Sequence, residues 1–238
     1  MVYNWPDYIQ ALAYPATCIL CGAPGEDDRD LCRGCHQDLP HNHHPCRHCA
    51  LPLPGQAPPG SLCGECLKKS PLFDRCHAAL SYETPVDHLI SGLKFHGRLS
   101  YGRLMAELLG QYLDQGDSGL PELIIPVPLH PSRLRERGFN QALELAQPLS
   151  RLFDIPIDST RCIRSRPTEP QSGLDKKARR RNIRGAFEIR ENLETKHVAL
   201  VDDVVTTGST VNELARLLRR HGAERIEVWA VARRAPHP

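Results

Sequence analysis

HVALVDDVVTTGSTVNEL, residues 197–214, decides the architecture of this chain. Val198 to Val201 is a β-rich apolar run, followed at once by two adjacent carboxylates, Asp202 and Asp203. A hydroxyl-rich glycine loop comes next, and a helix is predicted from near Ser209 to near Gly222. In an open parallel sheet, ligands gather at the C-terminal ends of the strands, where this loop falls. Gly208 frees backbone N–H groups across the loop Val204, Val205, Thr206, Thr207, Gly208, Ser209 and Thr210, and four hydroxyls add donors. The positive end of the following helix points at the same spot, so the segment reads as a phosphate cradle. Carboxylates beside a phosphate would repel it, but they suit ribose 2′- and 3′-hydroxyls, and they can assist a Mg²⁺ that neutralises a pyrophosphate. No Lys follows the glycine, so the loop is not a Walker A motif.

Outward from this segment the text alternates strands and helices. His77 to Tyr82, Leu123 to Val127, Ala186 to Ile189 and Ile226 to Val231 are short β-rich runs. Val86, Leu89, Ile90 and Leu93 recur at helical spacing, as do Leu104, Met105, Leu108, Leu109 and Tyr112; these are core stripes without assigned chemistry. The alternation predicts an α/β domain with a mostly parallel sheet covered on both faces.

Nine of the ten cysteines precede residue 77, which divides the chain by composition into 1–75 and 76–238. Eight form Cys-x-x-Cys knuckles: Cys18 with Cys21, Cys32 with Cys35, Cys46 with Cys49, and Cys63 with Cys66. A two-residue gap lets both thiolates of a turn face one ion, and two turns complete the tetrahedral S₄ set that Zn²⁺ prefers. Two structural zinc ions are therefore expected, with sequential pairing favoured over an interleaved one. His36, His41, His43, His44 and His48 lie among the knuckles but are not needed as ligands. So small a module buries little core, and metal would supply much of its folding free energy. Leu51 to Gly60, with four prolines and two glycines, is a loop inside the second knuckle pair.

A net charge of +2 gives no whole-protein attraction to nucleic acid, but Arg161 to Arg184 carries nine Lys or Arg against two acids. Such a block is a solvated face or a mobile loop and also suits polyanions, and the segment Arg164 to Phe187, interrupted by Pro167, Pro170 and Gly173, fits a mobile hood. No run approaches the roughly 20 apolar residues of a membrane span. The first 17 residues do not read as a secretory leader, so a reducing, cytoplasmic location is expected and zinc is favoured over disulfides. Trp5, Tyr8, Ile9 and Leu12 predict a short amphipathic helix.

VALVDDVVTTGST resembles the PRPP-binding signature of type I phosphoribosyltransferases. With CILCG near the N-terminus, LKFHGR at Leu93 to Arg98 and PVPLHPSRLRERGFNQA at Pro126 to Ala142, the chain resembles the ComF family over nearly its whole length. That resemblance implies a double zinc ribbon joined to a phosphoribosyltransferase-like domain, and a role in DNA uptake, competence or the use of external DNA. It also implies a DNA helicase as a candidate partner.

By position in the transferase fold, Pro126 to His130, with Pro128 and Leu129, forms the loop that receives pyrophosphate. Arg133, Arg135 and Arg137 lie just beyond it. Asn140 and Gln141 are either substrate ligands or, for Asn140, a helix cap. Arg166, Thr168, Gln171, Arg179 and Asn182 are the hood residues, with Arg137, Arg166 and Gln171 the candidate catalytic set. Displacement of pyrophosphate from C1 of PRPP needs no acid–base dyad, only positioning, Mg²⁺ and exclusion of water. Two functions stay open: a PRPP-dependent transferase, or a scaffold of the same fold that binds single-stranded DNA through zinc ribbons and hood. With aromatics at 5%, such DNA binding would rest mainly on phosphates.

Overall fold

A computed structural model describes residues 15–115, 119–167 and 183–235. The helix expected around Trp5 to Leu12, and Thr168, Gln171, Arg179 and Asn182 of the hood, lie outside the described residues. Contacts divide the chain into two compact units, Met1–Pro40 and His41–Pro238. The division by contacts thus falls well before the division by composition between residues 75 and 76, and the second set of knuckles shares a unit with the sheet.

The first unit is built by its turns. Gly22 takes a φ of 77°, a conformation that favours glycine, and its N–H closes on the Cys18 carbonyl at 2.9 Å. Helix α1 (Arg33–Gln37) is capped by Cys32, whose sulfur accepts the Cys35 N–H. Both knuckles therefore use backbone geometry to aim sulfurs, and Leu31 is the buried apolar anchor between them.

In the second unit, α2 (Gly64–Lys68) starts after its N-cap Cys63 and carries Cys66 of the fourth knuckle, and the sheet begins at β1 (Arg75–Ser81). Helices α3 (Val86–His96) and α4 (Leu99–Asp114) lead to β2 (Leu123–Pro126). Then come α5 (Pro131–Arg137), α6 (Gln141–Phe153), β3 (Cys162–Arg164) and β4 (Phe187–Ile189). Strand β5 (His197–Val205), helix α7 (Ser209–Arg220) and strand β6 (Arg225–Arg233) complete the order. The main sheet runs β1-β6-β5-β2 and every pairing is parallel, while β3 and β4 form a separate antiparallel pair.

Burial on both faces explains why the strands read as continuous apolar runs. Helices α4 and α6 lie against β6, β1, β5 and β2 on one side, with α3 packed on α4. On the other side, Val211, Leu214 and Leu218 of α7 share a core with Val198, Leu200, Ile226 and Val228. That same core contains Cys46, Cys49, Cys63, Cys66 and Phe73, so the second set of knuckles is part of the sheet's packing. Residues 41–48 also run beside β1: His41 bridges Leu80, and the Cys76 N–H donates to the His48 carbonyl at 2.8 Å. An otherwise open sheet edge is thereby covered.

One carboxylate lies buried on the opposite, α4 and α6 side of the sheet, near the N-terminal end of β6. Glu227, 2% exposed, accepts from Arg225 Nη2 at 2.7 Å and Trp229 Nε1 at 3.2 Å. His77 and His197, from the two flanking strands, approach it at 3.4 and 3.2 Å. Burial opposes its ionisation, but His77, Trp229 and His197 outweigh that and bring its pKa down to about 2.

Candidate functional site

Strand β5 runs two residues further than a loop starting at Val204 would allow, and its alternation separates the two acids. Asp203 is 2% exposed and turns to the α3 and α6 side. There it forms an ion pair with Lys94 of α3 and accepts from Gln141 Nε2 at 3.4 Å. Gln141 accepts in turn from Arg137 through Oε1, so Arg137, Gln141, Asp203 and Lys94 form one chain of contacts. Burial works against the Lys94 ammonium, but the Asp203 charge outweighs it and raises its pKa. Asp202 is half-buried, and its Oδ1 accepts the Asp203 N–H at 2.9 Å. Desolvation, with Asp203 beside it, holds the Asp202 carboxyl well above the usual range. A carboxylate that resists ionising by itself gains most from a cation or hydroxyl donors.

The loop between β5 and α7 is only Thr206 to Gly208. Gly208 caps α7 with φ at 72°, and Thr207 and Ser209 join hydroxyls at 2.8 Å. Asn212 donates to the Gly208 carbonyl at 2.9 Å, which fixes the turn that opens the helix N-terminus. Thr206, Thr207 and Thr210 stay half-exposed there, whereas Val205 and Ser209 are buried.

After β2, Pro128 is buried and Leu129 half-exposed; His130 then caps α5 by accepting the Ser132 N–H at 3.2 Å. Asn140 serves as a cap, accepting the Ala142 N–H at 3.1 Å, and its amide donates to the Val127 carbonyl at 3.1 Å. Both ends of its amide are thus engaged in shaping the loop after β2. Arg133 and Arg137 are half-buried on α5, while Arg135 is exposed. Arg164, at the end of β3, is within electrostatic reach of both Asp202 and Arg133; burial lowers its pKa, and Asp202 partly offsets this. Burial likewise lowers that of Arg137, with Asp203 opposing. Arg166 is exposed and donates to the Arg184 carbonyl at 2.7 Å. Beside this ring of guanidinium groups, Lys94, Phe95, Gly97, Arg133, Glu136, Arg137 and Phe139 line a cavity of about 140 Å³. Phe95 is 69% exposed, with the Arg137 guanidinium 5.7 Å above its ring.

Lys94, Phe95 and Arg164 were not among the residues to which the sequence reading gave a role. The signal was present for Lys94 and Phe95 in the LKFHGR stretch, and for Arg164 in the basic block Arg161 to Arg184.

The cysteines gather in two sequential sets, Cys18, Cys21, Cys32, Cys35 and Cys46, Cys49, Cys63, Cys66, each with its sulfurs within 4.8 Å of one another. A zinc–sulfur bond of about 2.3 Å requires sulfur–sulfur edges of about 3.8 Å in a regular tetrahedron. The Cys21–Cys32 and Cys49–Cys63 sulfurs stand 3.7 and 3.6 Å apart, so both sets fit the ion. Burial opposes the Cys46 thiolate, but N–H groups of Cys49, Cys63 and His48 bring its pKa down to about 7. Corresponding donors at Cys32, Cys21 and Leu20 bring Cys18 to about 6 against the same opposition. Burial and neighbouring thiolates push Cys66 up, as expected of a set whose charges need a shared cation. With four protein sulfurs each, both are closed, structural sites.

Comparison with known proteins agrees with this layout. A double zinc ribbon domain model matches residues 9–69, and a phosphoribosyl transferase domain model matches residues 140–237. Competence protein F of Haemophilus influenzae is 41% identical over 212 residues, 85% of this chain and 90% of that protein. The chain belongs to the ComF family. DNA utilization protein YhgH of Escherichia coli O157:H7 is 37% identical to this ComF-family chain, over 94% of it and 92% of the relative. Competence protein ComFC of Bacillus subtilis is 26% identical over 82% and 80%. Among the described residues, no helix of this ComF protein is long and apolar enough to cross a membrane.

Proposed function

We propose that this ComF protein binds PRPP, or a closely related ribose phosphate, at the C-terminal edge of β5 and acts in the uptake or use of DNA. The observation that carries the reading is one constellation: the Thr206–Gly208 turn opens the N-terminus of α7 beside Asp202, with Arg133, Arg137 and Arg164 converging on the same edge. Backbone N–H groups and the hydroxyls of Thr206, Thr207 and Thr210 suit a 5′-phosphate. Asp202 suits ribose hydroxyls, and the arginines with the Pro128–Leu129 loop suit a pyrophosphate. Mg²⁺, when bound, would supply neutralisation of the pyrophosphate, and Asp202 is the residue to hold it or its waters. A transferase would displace pyrophosphate from C1 with an acceptor nitrogen, with Arg137 and Arg166 stabilising the leaving group. The names of the relatives, competence and DNA utilization, support the cellular role, and eight closely set thiols suit a reducing cytoplasm.

Calorimetry with and without Mg²⁺, on wild type and Asp202→Asn, tests the ligand. Asp202→Asn is the cleaner variant because Asp203 is an internal ion-pair partner. Magnesium-dependent PRPP binding that disappears in the variant is expected; equal binding by both proteins would refute the assignment.

A second reading, a single-strand DNA scaffold without transferase activity, is favoured by one observation. Phe95 presents its ring next to Arg133 and Arg137, an aromatic platform within a basic rim. Both readings are compatible with one site, and a PRPP turnover assay that releases pyrophosphate separates them.

A further inference from the structure

Arg233, the last residue of β6, is 7% exposed, and its hydrogen bonds all end on backbone carbonyls. Its Nε donates to the Cys49 carbonyl at 2.8 Å, inside the third knuckle. Its Nη1 reaches the Val205 and Arg234 carbonyls at 2.8 Å, and that of Thr206 as well. One guanidinium thus joins the backbone of a zinc knuckle to the backbone that enters the phosphate turn. A second tie closes the other side of that turn. The Leu72 N–H, beyond the fourth knuckle, donates to Asn212 Oδ1 at 2.8 Å, and the same amide donates to the Gly208 carbonyl at 2.9 Å. Thr206 to Gly208 is therefore held at both ends by the segment that carries Cys46, Cys49, Cys63 and Cys66.

Charge points the same way. A Zn²⁺ with four thiolates carries a net charge of −2, and this set is buried at all four positions. A buried cation whose hydrogen bonds go to carbonyls, next to a buried anionic metal site, is that site's counter-charge. Loss of the metal would release the knuckle, leave Arg233 poorly compensated and loosen the carbonyls of Val205 and Thr206.

We propose that the second Cys₄ site is a working part of the ligand site: Arg233 and Asn212 are positioning residues that couple zinc at Cys46, Cys49, Cys63 and Cys66 to anion binding at the Thr206–Gly208 turn. The coupling rests on the reading that this turn receives PRPP. Because coupling is reciprocal, ligand at the turn must also stabilise zinc at this site. No such tie is expected for the first set of cysteines, which lies in the other compact unit.

The test follows zinc release from the full-length, zinc-loaded protein into a zinc-selective chelator that spares Mg²⁺, with a colorimetric readout, in the presence and absence of saturating Mg²⁺–PRPP. Two release phases are expected from wild type. PRPP slows one of them by about 5-fold or more, the lower range of typical site–site coupling, and leaves the other unchanged. In Arg233→Gln and in Asn212→Ala, each starting with two zinc ions, PRPP no longer slows that phase and calorimetric PRPP affinity falls several-fold. Arg233→Lys, which keeps the charge but not the fork, recovers part of the effect. The wild-type measurement stands even if a variant fails to fold. PRPP binding to wild type with both phases unmoved overturns the coupling and leaves the ligand reading intact. No PRPP binding by wild type overturns both.

Discussion

Lys94→Met isolates the ion pair at the centre of the site. The substitution keeps the stem of the side chain on α3 and deletes only the ammonium that faces Asp203. Asp203 is 2% exposed and would keep a hydrogen bond from Gln141, a neutral donor at 3.4 Å. Removing one member of a buried pair costs about 3–5 kcal/mol, because the other charge is left uncompensated. In a unit the size of His41–Pro238, each kcal/mol moves the melting midpoint by about 2–4 °C, so Tm should fall by roughly 6–20 °C. The double variant Lys94→Met, Asp203→Asn removes both charges and should regain most of that loss. Thermal melts by circular dichroism read both variants. A Tm for Lys94→Met within about 2 °C of wild type, or a double variant no more stable than the single one, would refute the buried-pair argument.

Glu227→Gln should cost roughly 3 kcal/mol at neutral pH, from a native pKa of about 2 against an ordinary 4.5. That stabilisation is complete above the unfolded value and is lost as pH falls from 4.5 toward 2, so denaturant midpoints of variant and wild type should converge across that window. Since burial and Asp203 raise the Asp202 pKa, Mg²⁺-dependent PRPP affinity should strengthen as pH rises from the acid side beyond the usual carboxylate range; a flat calorimetric profile for wild type would count against Asp202 as the cation-facing acid. If single-stranded DNA uses the cavity beside the site, Phe95→Ala should weaken binding by about 5- to 100-fold by fluorescence anisotropy and leave the salt slope unchanged. Arg133→Ala should instead reduce that slope by about one phosphate contact, and the reverse pattern would exclude the cavity as a stacking platform.

What was legible in the sequence is what neighbouring residues settle between themselves. A two-residue gap aims two thiolates whatever the rest of the chain does, so the knuckles at Cys18, Cys32, Cys46 and Cys63 could be read directly, and the observed sets are the sequential ones. The strand, loop and helix from His197 to Arg220 likewise follow from a β-branched run, a glycine with positive φ and an amphipathic stretch, all short-range causes. Strand alternation is also local, and it starts the side chains of Asp202 and Asp203 from opposite faces of β5.

Only the tertiary structure decided which of those acids pairs with Lys94. Lys94 meets Asp203 across 109 residues of chain, and Arg233 meets Cys49 across 184. No periodicity encodes such contacts, because they depend on where the parallel crossovers return the chain and on which polar groups must find partners once buried. The same cause gathers Arg133, Arg137 and Arg164 from separate elements at one edge of the sheet. It also draws the second zinc site into the core of the unit that holds the ligand loop, where composition alone divides the chain between residues 75 and 76.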